Sequence, residues 1–91
     1  MSPDKSEIRQ VVFGVHFGAL AKPIAQQLRE QGFKVPASAR KAIKHLQLDA
    51  DALVRLTVRG YINDSLKRAL HNRLIRAISA AFSSDSDLNR K

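Results

Sequence analysis

The side chains able to do chemistry in this chain are mostly cations. Its three histidines, His16, His45 and His71, stand far apart, and none belongs to a His-x-x-x-His or similar metal-ligand spacing. His45 and His71 fall on the flanks of helical patterns, where a histidine ordinarily serves at the surface or between helices. Asp49 and Asp51 lie two apart on a helical pattern and point to different sides, which makes them a poor acid–base pair. Gly14 and Gly18 lack both the glycine fingerprint and the strand–turn–helix setting of a phosphate loop. With no cysteine there is no thiolate to bind metal, attack a substrate or form a disulfide. The expectation is a protein without catalysis, metal or cofactor.

Positive charge remains. Sixteen Lys and Arg face eight Asp and Glu, a formal net charge of +8 with a pI near 10.7. Residues 1–36 carry five basic and three acidic groups, residues 37–82 nine and three, and residues 83–91 two of each. Most of the excess, +6, therefore lies in one internal stretch. Charge concentrated on a folded element is the electrostatic footprint of nucleic-acid binding, and an acidic protein surface is the other partner it would suit.

That stretch reads as two helices. Ala39, Ile43, Leu46, Ala50, Leu53 and Thr57 recur at alternating spacings of four and three, the seam of a helix, and Ala42 and Val54 widen the stripe. On the same helical wheel Lys41, Lys44, Arg55 and Arg59 gather on the opposite side. Leu48 sits among them, so either the helix breaks near Leu48-Asp49 or this leucine meets a partner. Gly60 suits the residue after a helix, where a left-handed backbone is needed. Asn63, Asp64 and Ser65 offer caps for the next helix, whose stripe is Leu66, Leu70, Leu74, Ala77, Ile78 and Ala81. So short a joint makes the pair an antiparallel αα-hairpin, 37–59 against 64–82. Arg68, Arg73 and Arg76 on its second arm supplement the positive surface.

Elsewhere the pattern is weaker. Residues 1–7 are polar and expected to lack structure. Between Ile8 and Phe17, Val11, Phe13, Val15 and Phe17 alternate as in a strand, while Ile8, Val12, Val15 and Ala19 fit a helical stripe. A lone strand would have no partner here, so an irregular or helical segment packing Phe13, Phe17 and Phe33 on the hairpin is preferred, with an extended conformation left open. Pro23 placed at the first helical position starts a short helix to Gln31, and Gly32 ends it. Residues 83–91 lack periodicity and are expected to form a flexible tail. The fold class is all-α, a single small helical domain over 8–82. No apolar run approaches the length of a membrane span, and the polar start is unlike a signal peptide, so a cytoplasmic setting is expected.

The segment Ile24-Ala25-Gln26-Gln27-Leu28-Arg29-Glu30-Gln31-Gly32-Phe33-Lys34-Val35, followed by Ser38-Ala39-Arg40-Lys41-Ala42-Ile43-Lys44-His45-Leu46, resembles the helix–turn–helix of winged-helix DNA-binding domains. The resemblance covers about a quarter of the chain and implies that Ser38, Arg40, Lys41 and Lys44 face the major groove. No strand pair for a wing follows, and the second helix runs on through Asp49 to Arg59. The chain is also similar in pattern to small helical proteins of phages and other mobile elements. That likeness rests on Val12-Phe13-Gly14, Gly18-Ala19-Leu20-Ala21-Lys22-Pro23-Ile24, Gln27 to Phe33, Asp49 to Leu56, and Arg59 to Ser65.

Two functions are therefore expected to compete. One is a basic nucleic-acid-binding protein, DNA before RNA, contacting phosphates through Arg40, Lys41, Lys44, Arg55 and Arg59, with Arg68, Arg73 and Arg76 in support. The other is a helical interaction module of phage or mobile-element type that binds itself or a host protein. Apolar residues outside the main stripes, Leu48, Leu56, Tyr61 and Phe82 above all, are numerous for 91 residues and point to a homodimer or another docked surface.

Overall fold

The first helix begins at a cap that a polar N-terminus concealed. Asp4 accepts a hydrogen bond from the Glu7 backbone N–H at 2.8 Å, and α1 (Lys5–Phe13) follows. Part of the stretch expected to lack structure is thus helical, and the first half of 8–17 is helical and not extended. The computed structural model describes residues 3–18, 20–60 and 64–89, with side chains as far as Ser83. Among these residues there is no strand.

The second helix, α2 (Ile24–Glu30), takes Pro23 as its N-cap and so begins one position later than expected. Its first backbone N–H, on Ile24, donates to the side-chain oxygen of Gln47 at 2.7 Å. Its other end closes at Gly32 (φ 85°) in two hydrogen bonds, Gly32 N–H to the Arg29 carbonyl at 2.9 Å and Phe33 N–H to the Leu28 carbonyl at 3.0 Å. This is a Schellman closure, which satisfies two carbonyls the helix would leave bare and turns Phe33 back into the core. A 3-10 turn over Ala37–Ala39 then leads into α3 (Arg40–Val58). No break interrupts α3 at Leu48-Asp49, so the first explanation offered for that exposed leucine does not apply.

Gly60 (φ 82°) ends α3 as expected, with its N–H on the Thr57 carbonyl at 2.9 Å. The last helix, α4 (Asp64–Asn89), starts with Asp64 and Ser65 in its first turn; residues 61–63, including Tyr61 and the candidate cap Asn63, lie outside the described residues. It runs seven positions past Phe82, into the segment read as tail.

The long hairpin is the spine of the molecule. α3 packs on α4, α1 covers α4, α2 covers α3, and the 3-10 turn touches both long helices. The core joins Ile43, Leu46 and Ala50 of α3 to Leu70, Leu74, Ile78 and Ala81 of α4, with Ile8 and Val12 from α1 and Ile24 and Leu28 from α2. Leu74 and Ile78 are wholly buried, and burial of a side chain of that size contributes about 1.5–3 kcal/mol. The core fills one end of the hairpin. From Arg55 to Gly60 and from Asp64 to Ala69 every residue is exposed, so the hairpin extends beyond the core in a molecule measuring 50 × 22 × 21 Å.

Candidate nucleic-acid interface

Burial of Ile43, Leu46 and Ala50 fixes how α3 is rotated, and that rotation turns its charged side to solvent. At 100° per residue Lys44, Arg55, Leu48, Lys41 and Arg59 fall within an arc of about 60°, opposite the buried stripe. All five are exposed. No glycine or proline kinks α3 over its 19 residues, so the stripe runs along one continuous helix to Arg59, its C-cap. None of its four cations enters an ion pair or side-chain hydrogen bond among the described residues.

The other predicted cations are placed differently. Arg40 lies at the flank, where it lines a shallow apolar groove of about 140 Å³ with Lys44, Ile43, Gln47 and the start of α2. Arg73 is engaged elsewhere: it donates to Asp49 at 3.1 Å and ties α4 to α3. Arg68 and Arg76 are exposed on α4, which packs against the side of α3 away from the stripe. They add positive charge to the molecule without lengthening the stripe. Ser38 is exposed just before α3.

The docking residues divide as well. Leu48 is 64% exposed in the middle of the stripe, and Leu56 is exposed near the tip, where Val58 and Leu66 are exposed as well. Phe82 departs from the expectation. Its ring packs edge-on against Phe33, 5.7 Å between centroids, and is half-buried against the core. An apolar residue outside a regular stripe is here covered by a partner distant in the chain.

Two glutamines of structural weight escaped sequence reasoning. Gln27 accepts from the His16 backbone N–H at 2.7 Å and donates to the carbonyls of His16 at 3.1 Å and Lys22 at 2.6 Å, so it clasps the loop between α1 and α2. Gln47 caps Ile24 with its oxygen and donates to Asp51 at 2.9 Å with its nitrogen. Neither has a sequence signal, since a glutamine on a helix looks the same whether it faces water or a loop. His71 is also placed by tertiary structure. Its ring lies 4.9 Å from that of Phe13 and 4.7 Å from that of Phe17, with Nε2 3.4 Å from the Val15 carbonyl. Burial there holds its pKa below the ordinary histidine value, against the opposing hydrogen bonds to the Val15 and Lys67 backbone. On the exposed side of α2, the Lys22 ammonium 2.7 Å from Glu30 keeps that carboxyl below its usual value.

A cleft of about 200 Å³ opens between the α1–α2 loop and α3, lined by His16, Phe17, Gln47, Asp51 and Val54 among others. Its amide and carboxylate are joined to each other, and the amide oxygen is held by Ile24. Among the described residues no three His, Asp or Glu side chains gather as a metal site, and no helix is long and apolar enough to cross a membrane. Comparison with known protein families, with curated proteins and with solved structures finds no match for this chain.

Proposed function

We propose that this chain is a cytoplasmic nucleic-acid-binding protein, not an enzyme, that grips phosphates through the outer face of α3. The observation that carries the reading is the alignment of Lys41, Lys44, Arg55 and Arg59 on one exposed face of a continuous helix and its C-cap, with no carboxylate bonded to any of them among the described residues. Where the molecule uses cations structurally, as at Lys22–Glu30 and Arg73–Asp49, it supplies an acid. Unpaired surface cations held in register are the arrangement that displaces counterions from a phosphate backbone.

Binding to random-sequence duplex DNA and to single-stranded RNA, followed by fluorescence anisotropy across a salt series, tests this. Four phosphate contacts on a duplex give a slope of roughly −3.6 in log K against log salt. Replacing Lys41, Lys44, Arg55 and Arg59 with Glu abolishes binding while circular dichroism stays helical. Reversing Arg68 and Arg76 weakens it less. Equal binding by the first variant and the parent would overturn the assignment of this face.

A second reading draws on the tip, where Leu56, Val58 and Leu66 are exposed. There a second copy of the chain, or a host protein in the setting of a phage or mobile element, would find apolar surface to cover. A homodimer formed at the tip is compatible with nucleic-acid binding by α3.

A further inference from the structure

An exposed leucine interrupts the cationic stripe of α3, and nucleic-acid chemistry gives that leucine a use. Resting on the reading above, we propose that α3 lies in the major groove of B-form DNA, with Leu48 against the C5-methyl of thymine and the flanking cations on phosphates.

The dimensions favour this ligand. An α-helix with its side chains is about 10–12 Å across, which the B-DNA major groove, about 12 Å wide, admits and the minor groove, about 6 Å wide, does not. A-form RNA closes the same route, because its major groove is deep and narrow. Single strands are ordinarily held by stacking bases on aromatic rings. The described aromatic residues, Phe13, Phe17, Phe33 and Phe82, all lie outside α3. The stripe therefore offers charge and one apolar group, with no phenylalanine for bases to stack on, and the exposed ring of His45 lies at its edge.

The order of residues along the stripe matches the groove. Lys41 and Lys44 precede Leu48, and Arg55 and Arg59 follow it. At 1.5 Å of rise per residue the two basic pairs are centred roughly 22 Å apart, with Leu48 between them. Long cationic side chains at both ends can reach inward to phosphates on the groove's rims, while the middle of the helix meets base edges. Ala52, one turn beyond Leu48, is small enough to allow close approach. The nearby carboxylates, both exposed, bond to other side chains of the same chain, Asp51 to Gln47 and Asp49 to Arg73. In the major groove the thymine methyl is the apolar feature of the base edges, and aliphatic side chains are its natural contact.

The test compares a duplex of A·T pairs with the same duplex carrying uracil for thymine, which removes only the methyl. The full-length chain binds the thymine duplex more tightly, by roughly fourfold for each methyl buried. Leu48→Ala, a substitution at a position 64% exposed, loses this difference between the thymine and uracil duplexes. The single strand and an RNA duplex bind more weakly than either. Equal affinity for thymine and uracil duplexes, or a preference that survives Leu48→Ala, overturns the contact while leaving phosphate binding in place. Absence of binding to every probe at low salt overturns the nucleic-acid reading itself.

Discussion

His71 occupies a site that resists a proton. Between Phe13 and Phe17 its imidazole is stripped of part of its water, and its pKa falls below the reference value of 6.5. The unfolded chain then takes up a proton at a higher pH than the folded chain does. Stability is therefore complete above about pH 6.5 and declines as the pH falls from there through the depressed folded value. Thermal denaturation between about pH 7.5 and 5 should show the midpoint falling for the parent, with a flatter profile for His71→Gln over the same window. Equal slopes would mean that the ring is as well hydrated in the folded state as outside it. The same contrast between a group's sequence and its surroundings separates Arg73 from Arg55. Both are helical arginines with similar neighbours in the chain, yet one is held by Asp49 across the hairpin and the other faces water.

At the scale of the element, α1 starts at the Asp4 cap, and α2 and α3 each close at a glycine with positive φ. Gly60 has a φ of 82°, and a Cβ built on it meets nothing within 4 Å. Gly60→Ala therefore acts through backbone strain alone and should cost about 1–2 kcal/mol, a drop in melting temperature of roughly 4–16 °C. Gly18→Ala, equally open in space but without a positive φ, is the control and should be near neutral. The hairpin was legible in the sequence because both of its stripes recur at helical spacing and Gly60 marks the joint. The candidate stripe was legible for the same reason: once the apolar side of α3 is known, periodicity alone places Lys41, Lys44, Arg55 and Arg59 opposite it. α1 was harder to read. Its buried residues Ile8 and Val12 are one turn apart, and the alternating Val11, Phe13, Val15 and Phe17 imitate a strand across the helix end. The continuation of α4 beyond Phe82 was illegible because Ser83 to Asn89 carries no apolar stripe that would announce a helix. The packing of Phe82 was not legible because Phe33, its ring partner, lies far upstream in the chain.

For the whole molecule, the unequal distribution of the core sets how it opens. The last fully buried residue of α3 is Ala50 and the first of α4 is Leu70, which leaves the tip held by backbone hydrogen bonds and partly buried Leu53. Amides of 55–58 and 67–69 should exchange with solvent through local opening, while those around Ile43–Ala50 and Leu74–Ile78 exchange only with global unfolding. If a second copy covers the tip, protection there rises with protein concentration. Protection that does not change with concentration would place the chain in solution as a monomer with a bare tip. The docking of α1 on α4 has a different consequence, in the timing of synthesis. Val15, just beyond α1, and His71, against which it rests, are 56 positions apart. At about 5–20 residues per second, translation leaves a gap of roughly 3–11 s between the two. Through that interval Ile8 and Val12 have been made and the helix that buries them has not. The N-terminal helix of this protein is thus born waiting, and the order of its synthesis runs against the order in which its core can close.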